Sequence, residues 1–242
     1  MVEGPTDKKI FTKIKFTYKR INFEIYGGGS NISTSVIEKI SKTSNIGIIK
    51  DRDFYSISEM QTLENKSPGN ISFLPKREIE NYALDSKELF EIYETLGTSE
   101  IKHHDEFVNV IKKISEKYIQ QTISDMYFFN YNKQQKIPQP KIEDSGKAIV
   151  SIEQYYEKRI ERISQLKTNI DLNVTTIEKE LCEKWSEEWI TYVDAKLLLK
   201  EIAKQFFKNK YSGEDLMDMI LLKWIDKNSF PQELIKSLQK LI

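Results

Sequence analysis

Between residues 2 and 84, short apolar runs alternate with stretches of helical period; from Asp85 onward only the helical period remains. Residues 6–19 place Ile10, Phe11, Ile14 and Tyr18 at helical spacing, with Thr6 as a cap. Residues 21–26 read as a strand, followed by the turn Gly27-Gly-Gly-Ser-Asn-Ile-Ser and a helix over about 32–43. A second apolar run, 46–50, reads as a strand. The polar stretch 55–70 reads as a loop ending in the turn signal Ser67-Pro-Gly-Asn, and 71–74 as a short strand stopped by Pro75. Strands alternating with helices predict parallel pairing through right-handed crossovers, with ligands at the carboxyl edge of the sheet.

The second part of the chain is predicted all-helical. Residues 86–96 form a short amphipathic helix and 101–127 a long one, with Phe107, Val108, Ile111, Ile114, Tyr118 and Ile123 in register. Residues 130–146, containing Pro138 and Pro140, read as a loop. Helices follow at about 151–170, 175–191, 195–209, 213–226 and 231–241, the last entered through Pro231. The expected architecture is an α/β core over residues 1–98, with a parallel sheet flanked by helices, and an all-helical extension over 99–242.

Candidate chemistry sits at the predicted strand ends. Glu3 closes the first strand segment, Gly4 and Pro5 turn the chain, and Asp7 falls in the first turn of the following helix. Asp51 and Asp53 follow the run 46–49; in extended chain, residues two apart point the same way, so both can face one spot. Four converging carboxylates would repel and raise one another's pKa values. A divalent cation relieves that repulsion, and an all-oxygen set suits Mg²⁺ or Mn²⁺. The three glycines from Gly27 permit either a phosphate at a helix N-terminus or simply a tight turn; no Gly-Lys-Ser/Thr follows, so this is not a P-loop.

The order Val2-Glu3-Gly4-x-x-Asp7, then a Gly-rich turn, then Asp51-x-Asp53 after an apolar strand resembles the Toprim domain of topoisomerases, primases and several nucleases. A third block, FLPKREIENYAL from Phe73 to Leu84, resembles the matching segment of OLD-type Toprim nucleases. It is similar also to that of stand-alone Toprim proteins encoded beside ABC-type ATPases in anti-phage systems. The resemblance implies a Toprim-like sheet with strand residues ahead of Met1, and a Mg²⁺-dependent endonuclease. Glu3, Asp51 and Asp53 would ligate the main cation, with Glu3 doubling as general base. Asp7 and Glu80 would serve a second cation. It also implies a late lysine, for which Lys196 in Tyr192-Val-Asp-Ala-Lys-Leu-Leu-Leu199 is the nearest match, with Ala195 where the family has glycine. The implied setting is a defence effector controlled by an ABC-type ATPase partner, acting on DNA or RNA, tRNA among them. A housekeeping RNA-processing Toprim nuclease, a topoisomerase-like strand transferase and a non-catalytic Toprim-fold binding module are the competing readings.

Composition narrows this picture little. Lys+Arg and Asp+Glu are both 37, so the formal charge is zero; nucleic-acid binders are often basic overall, and acidic ligands would offset a basic groove in the sum. No apolar run reaches the ~20 residues that span a bilayer, and no signal-peptide pattern opens the chain. The single cysteine, Cys182, fits a reducing cytoplasm. Arg77 is a candidate phosphate ligand or a partner for Glu78 and Glu80. Adjacent His103 and His104 read as surface residues, and Trp185, Trp189 and Trp224 as anchors of the helical core. The Tyr127–Tyr131 aromatics read as packing before base stacking, and apolar faces on the helices allow a homo-oligomer.

Overall fold

The computed structural model describes residues 1–2, 4–14, 24, 46–98, 100–134 and 148–241. Glu3, the end of the first predicted helix, the glycine turn, the helix at 32–43 and most of the loop at 130–146 lie outside the described residues. The described chain is mostly helical with one small parallel sheet of two strands, β1 (Ile48–Lys50) and β2 (Ile71–Phe73). Ile48 pairs with Ile71, Ile49 with Ser72 and Lys50 with Phe73. All six residues are buried, the polar Lys50 and Ser72 included, as in a parallel sheet covered on both faces. Met1 extends the pairing beyond β1: its amino group donates to the Gly47 carbonyl and its own carbonyl accepts from the Ile49 N–H at 2.9 Å. On the far side the Val2 N–H donates to the Glu24 carbonyl at 2.9 Å.

Helix α1 (Pro5–Ile14) begins with proline in its first turn, where a missing N–H costs nothing, and buries Ile10, Phe11 and Ile14. The connection between β1 and β2 differs from the expected loop: it contains helix α2 (Ile57–Lys66). The Ser56 hydroxyl accepts from the Glu59 N–H while the Glu59 carboxylate accepts from the Ser56 N–H, a reciprocal cap that satisfies two otherwise orphaned donors. The helix buries no residue fully, which is why its apolar period is weak; Met60 and Leu63 lean on Ile71 and Phe73.

After β2 a 3₁₀ turn (Ile79–Tyr82) leads into α3 (Lys87–Leu96) and α4 (His104–Ser115). The long helix expected at 101–127 is interrupted. α4 ends at Ser115, a 3₁₀ turn covers Glu116–Tyr118, and α5 (Ile119–Gln134) follows. Ser115 is fully buried and its hydroxyl donates back to the Lys112 carbonyl at 2.6 Å, the kind of side-chain bond that competes with the helical ladder. Then come α6 (Ala148–Thr168), α7 (Ile170–Tyr192), α8 (Ala195–Phe207), α9 (Gly213–Lys227) and α10 (Gln232–Gln239).

By compactness the chain forms two units, Met1–Lys117 with Glu188–Ile242, and Tyr118–Glu187. α7 leaves helical geometry at Glu188, where the division falls. In the first unit α8 and α9 pack on each other and on α3, α1 packs on α9, and α10 lies against β2. The core there gathers Tyr93, Phe107, Phe206 and Phe207 in edge, tilted and stacked contacts, and the fully buried Trp224 of α9 packs against Phe230. Trp189 is buried in the same unit and Trp185 in the other. No helix among the described residues is long and apolar enough to cross a membrane.

Candidate functional site

The segment Arg77-Glu78-Ile79-Glu80-Asn81 is locked onto the junction between α7 and α8. The last carbonyls of a helix have no partner within it, and here the segment supplies partners. The Arg77 N–H donates to the Thr191 carbonyl at 3.2 Å and its Nη1 to that of Tyr192 at 3.2 Å. The Asn81 amide donates to Ile190 at 2.6 Å and to Val193 at 2.9 Å. Across the junction Glu78 Oε1 accepts from the Ala195 N–H at 2.9 Å, a carboxylate at the positive end of α8. A block that reads in sequence as chemistry is thus also a double helix cap.

That docking brings Lys196, 118 residues further on, to the carboxylates. Its Nζ lies 2.6 Å from Glu78 Oε2 and 3.5 Å from Glu80 Oε1. Glu80 is 5% exposed, whereas the Lys196 side chain is 61% exposed and approaches from the solvent side. Burial pushes the Glu80 carboxyl up to about 7; the Glu78 charge adds to the rise, Lys196 and a backbone hydrogen bond oppose it, and Asp7 adds further. Desolvation would lower the Lys196 ammonium, but Glu78 and Glu80, with Asp51 beyond them, hold it above its usual range. One residue of this group, Glu78, enters from the sequence only as a candidate partner for Arg77. The structure gives it both the shorter bond to Lys196 and the tie to α8.

The remaining predicted residues fall around this group with different duties. Asp7 is buried, and its Oδ2 accepts the Gly4 N–H at 2.8 Å, capping the start of α1; its field reaches Glu80. Asp51 directly follows β1, and its charge is felt by both Tyr82 and Lys196. Asp53 departs from the extended chain assumed for it. The strand stops at Lys50, Asp53 adopts a left-handed φ of 48°, and two-residue alternation does not carry through it. Its N–H donates to the Arg77 carbonyl at 3.0 Å, and its Oδ2 accepts from Lys50 Nζ at 3.3 Å. Lys50 itself is a buried ammonium, 1% exposed, that sequence reasoning passed over because it sits within an apolar run. Arg77, an expected phosphate ligand, stacks on the Phe54 ring at 4.4 Å and lies 3.9 Å from Asp194 Oδ2.

Glu80 and Lys196 help to line a cleft of about 600 Å³ walled by α1, α8 and α9. Hard, all-oxygen donors such as Asp7, Asp51 and Glu80 match Mg²⁺ or Mn²⁺ in chemistry. Among the described residues, which do not include Glu3, no three His, Cys, Asp or Glu side chains are grouped closely enough to hold an ion. His103 is exposed, and His104 lies edge-on to Phe90 with its Nε2 3.0 Å from the Asp85 carbonyl. No protein-family model, no curated protein and no solved structure matches the chain.

Proposed function

We propose that this chain is a Toprim-type, metal-dependent endonuclease that cleaves nucleic acid phosphodiesters. One observation carries the reading: a solvent-facing ammonium, Lys196, is held against two carboxylates, one of them buried and raised to about 7, in the lining of a cleft. A buried acid kept near neutrality beside a fixed cation is the kind of perturbation that clusters at reactive sites. The three sequence blocks that resemble the Toprim pattern supply Asp7, Asp51 and Glu80 to this region of the first unit, in the family's order. Glu3 and Asp53 complete the proposed ligand set by resemblance.

In this scheme Asp51 and Glu80, with Glu3 and Asp7, would hold the cation, which when bound neutralises phosphate charge and supplies an activated water. Lys196, exposed at the cleft, meets a non-bridging phosphate oxygen and stabilises the charge that develops there. Glu78 orients Lys196 and ties it to the first turn of α8, so a lysine on a flexible stem is presented in one place. The partner in this reading is an ABC-type ATPase that senses infection and controls the nuclease, whose activity is restrained when it is alone.

Incubation with total RNA and with plasmid DNA, in Mg²⁺ or in EDTA, with and without the neighbouring ATPase, tests the proposal. Cleavage is expected only with the metal, and Asp51→Ala should lower it roughly a hundredfold or more while the protein stays folded. Wild-type cleavage by Asp51→Ala removes the assigned site. Free cleavage that ignores the ATPase points to a housekeeping RNA-processing enzyme, and a folded protein that cleaves neither polymer is a binding module.

A further inference from the structure

Apart from Glu80 and Lys196, the cleft contains groups that the proposed hydrolysis does not use. Its lining is apolar at Leu199 of α8 and Met217 of α9, 1% and 5% exposed. Gly213 at the start of α9 lets the two helices approach closely here, since a Cβ there would stand 3.0 Å from the Lys200 nitrogen and 3.3 Å from Leu199 Cβ. Its rim carries two further ammonium groups. Lys9 of α1 pairs with Asp218 of α9 across the cleft. Lys200 is exposed and, among the described residues, has no carboxylate partner. The cavity falls within the roughly 300–1,000 Å³ of sites that enclose a small organic ligand.

An apolar patch with lysines at its edge, beside the carboxylates of Glu214 and Asp218, matches an anionic ester on a flat apolar body. We propose that this cleft binds one nucleotide unit, its base on Leu199 and Met217 and its phosphate at Lys200 and Lys9, so that an unpaired strand lies against Glu80 and Lys196. This rests on the nuclease reading and adds the substrate's form to it. A base reaches this patch only when it is out of its duplex, because a paired and stacked base exposes only its edges in the grooves. The Lys9–Asp218 pair makes one rim charge conditional. It is already partnered by Asp218, with which the ligand phosphate must compete for it.

The test is fluorescence anisotropy in EDTA with a labelled short single strand and with the same strand annealed to its complement, and competition by nucleoside monophosphates, by unphosphorylated nucleosides and by inorganic phosphate. The single strand should bind at least about tenfold tighter than the duplex. Monophosphates should compete better than either phosphate or nucleoside alone, since each of those satisfies only half of the cleft. Lys200→Glu, at an exposed position, should weaken strand binding about tenfold or more, the loss of a charge-assisted contact and its reversal. Asp218→Asn, which frees Lys9, should tighten it. Equal binding of strand and duplex, or binding untouched by Lys200→Glu, overturns the proposal. Cleavage in Mg²⁺ is read separately: a protein that cleaves yet shows no strand preference keeps the nuclease reading and loses the nucleotide site. One that prefers the strand through Lys200 but never cleaves keeps the site and loses the nuclease reading.

Discussion

Glu80→Gln should melt well above the wild-type protein at about pH 8 and level with it at about pH 4. The Glu80 carboxyl is raised from its ordinary 4.5 to about 7 in the fold, by burial first and by Glu78 next. A carboxyl with a folded value above its unfolded one weakens the fold as pH climbs past the unfolded value. The penalty is complete once pH exceeds the folded value and vanishes below both. At about 1.4 kcal/mol per unit, the gap is on the order of 3 kcal/mol at pH 8, and with the side chain 6% exposed, solvent screening removes little of it. For a unit of this size that corresponds to roughly 6–12 °C in Tm. Lys196→Met should do the reverse, melting below wild type at pH 8 and converging with it in acid, because it removes the ammonium that opposes the rise. Thermal melts of the three proteins in EDTA across this range check the pair of expectations. If Glu80→Gln melts below wild type at every pH, the carboxylate is a stabilising structural group and the site loses its strained acid.

Trp224→Ala should be the most damaging single truncation in the first unit. Trp224 heads the fully buried side chains by volume, at 1% exposure. Its indole Nε1 donates at 3.2 Å to Glu88 Oε2, whose other oxygen accepts from the Ser229 hydroxyl at 2.7 Å. Removing the ring forfeits the transfer of that surface, leaves a cavity and strips the buried Glu88 of one of its two partners. The expected cost is about 3–5 kcal/mol, a large part of the ~5–15 kcal/mol that holds an average domain together. Trp224→Phe keeps most of the volume and should cost about 1–3 kcal/mol through the lost bond. Urea titrations followed by circular dichroism measure both. A midpoint for Trp224→Ala near that of wild type would mean the space refills, and the packing described for α3, α8 and α9 would need revision.

The elements that periodicity could reach were those whose burial leaves a mark in the local sequence. β1 and β2 stand out as runs of Ile and Phe bounded by turn residues, and α3, α8 and α9 as apolar stripes. α2 was hidden because it buries nothing fully, and its signature is the pair Ser56 and Glu59 rather than a stripe. The break after Ser115 was hidden because a hydroxyl bonding back to Lys112 leaves no trace in hydrophobic spacing. Within the candidate site, Glu80 and Lys196 were legible only through likeness to Toprim nucleases. Nothing in the spacing of residues 78 and 196 says that they meet. Asp53 shows the opposite failure: alternation placed it beside Asp51, and a left-handed turn removed the premise.

The double cap made by Glu78 and Asn81 also has a kinetic side, most plainly at Asn81. Its amide reaches carbonyls 109 and 112 positions away along the chain, and Glu78 meets Lys196 at a separation of 118. Contacts that close such loops bear the loop entropy before they return any stabilisation, so these are expected to form late. The charged cluster is therefore assembled after the helices and strands that carry it, and a chain still emerging during synthesis holds Glu80 without Lys196. Loosening the Asn81 bonds would speed unfolding while leaving the folding rate almost unchanged, because bonds absent from the transition state act only on the way out.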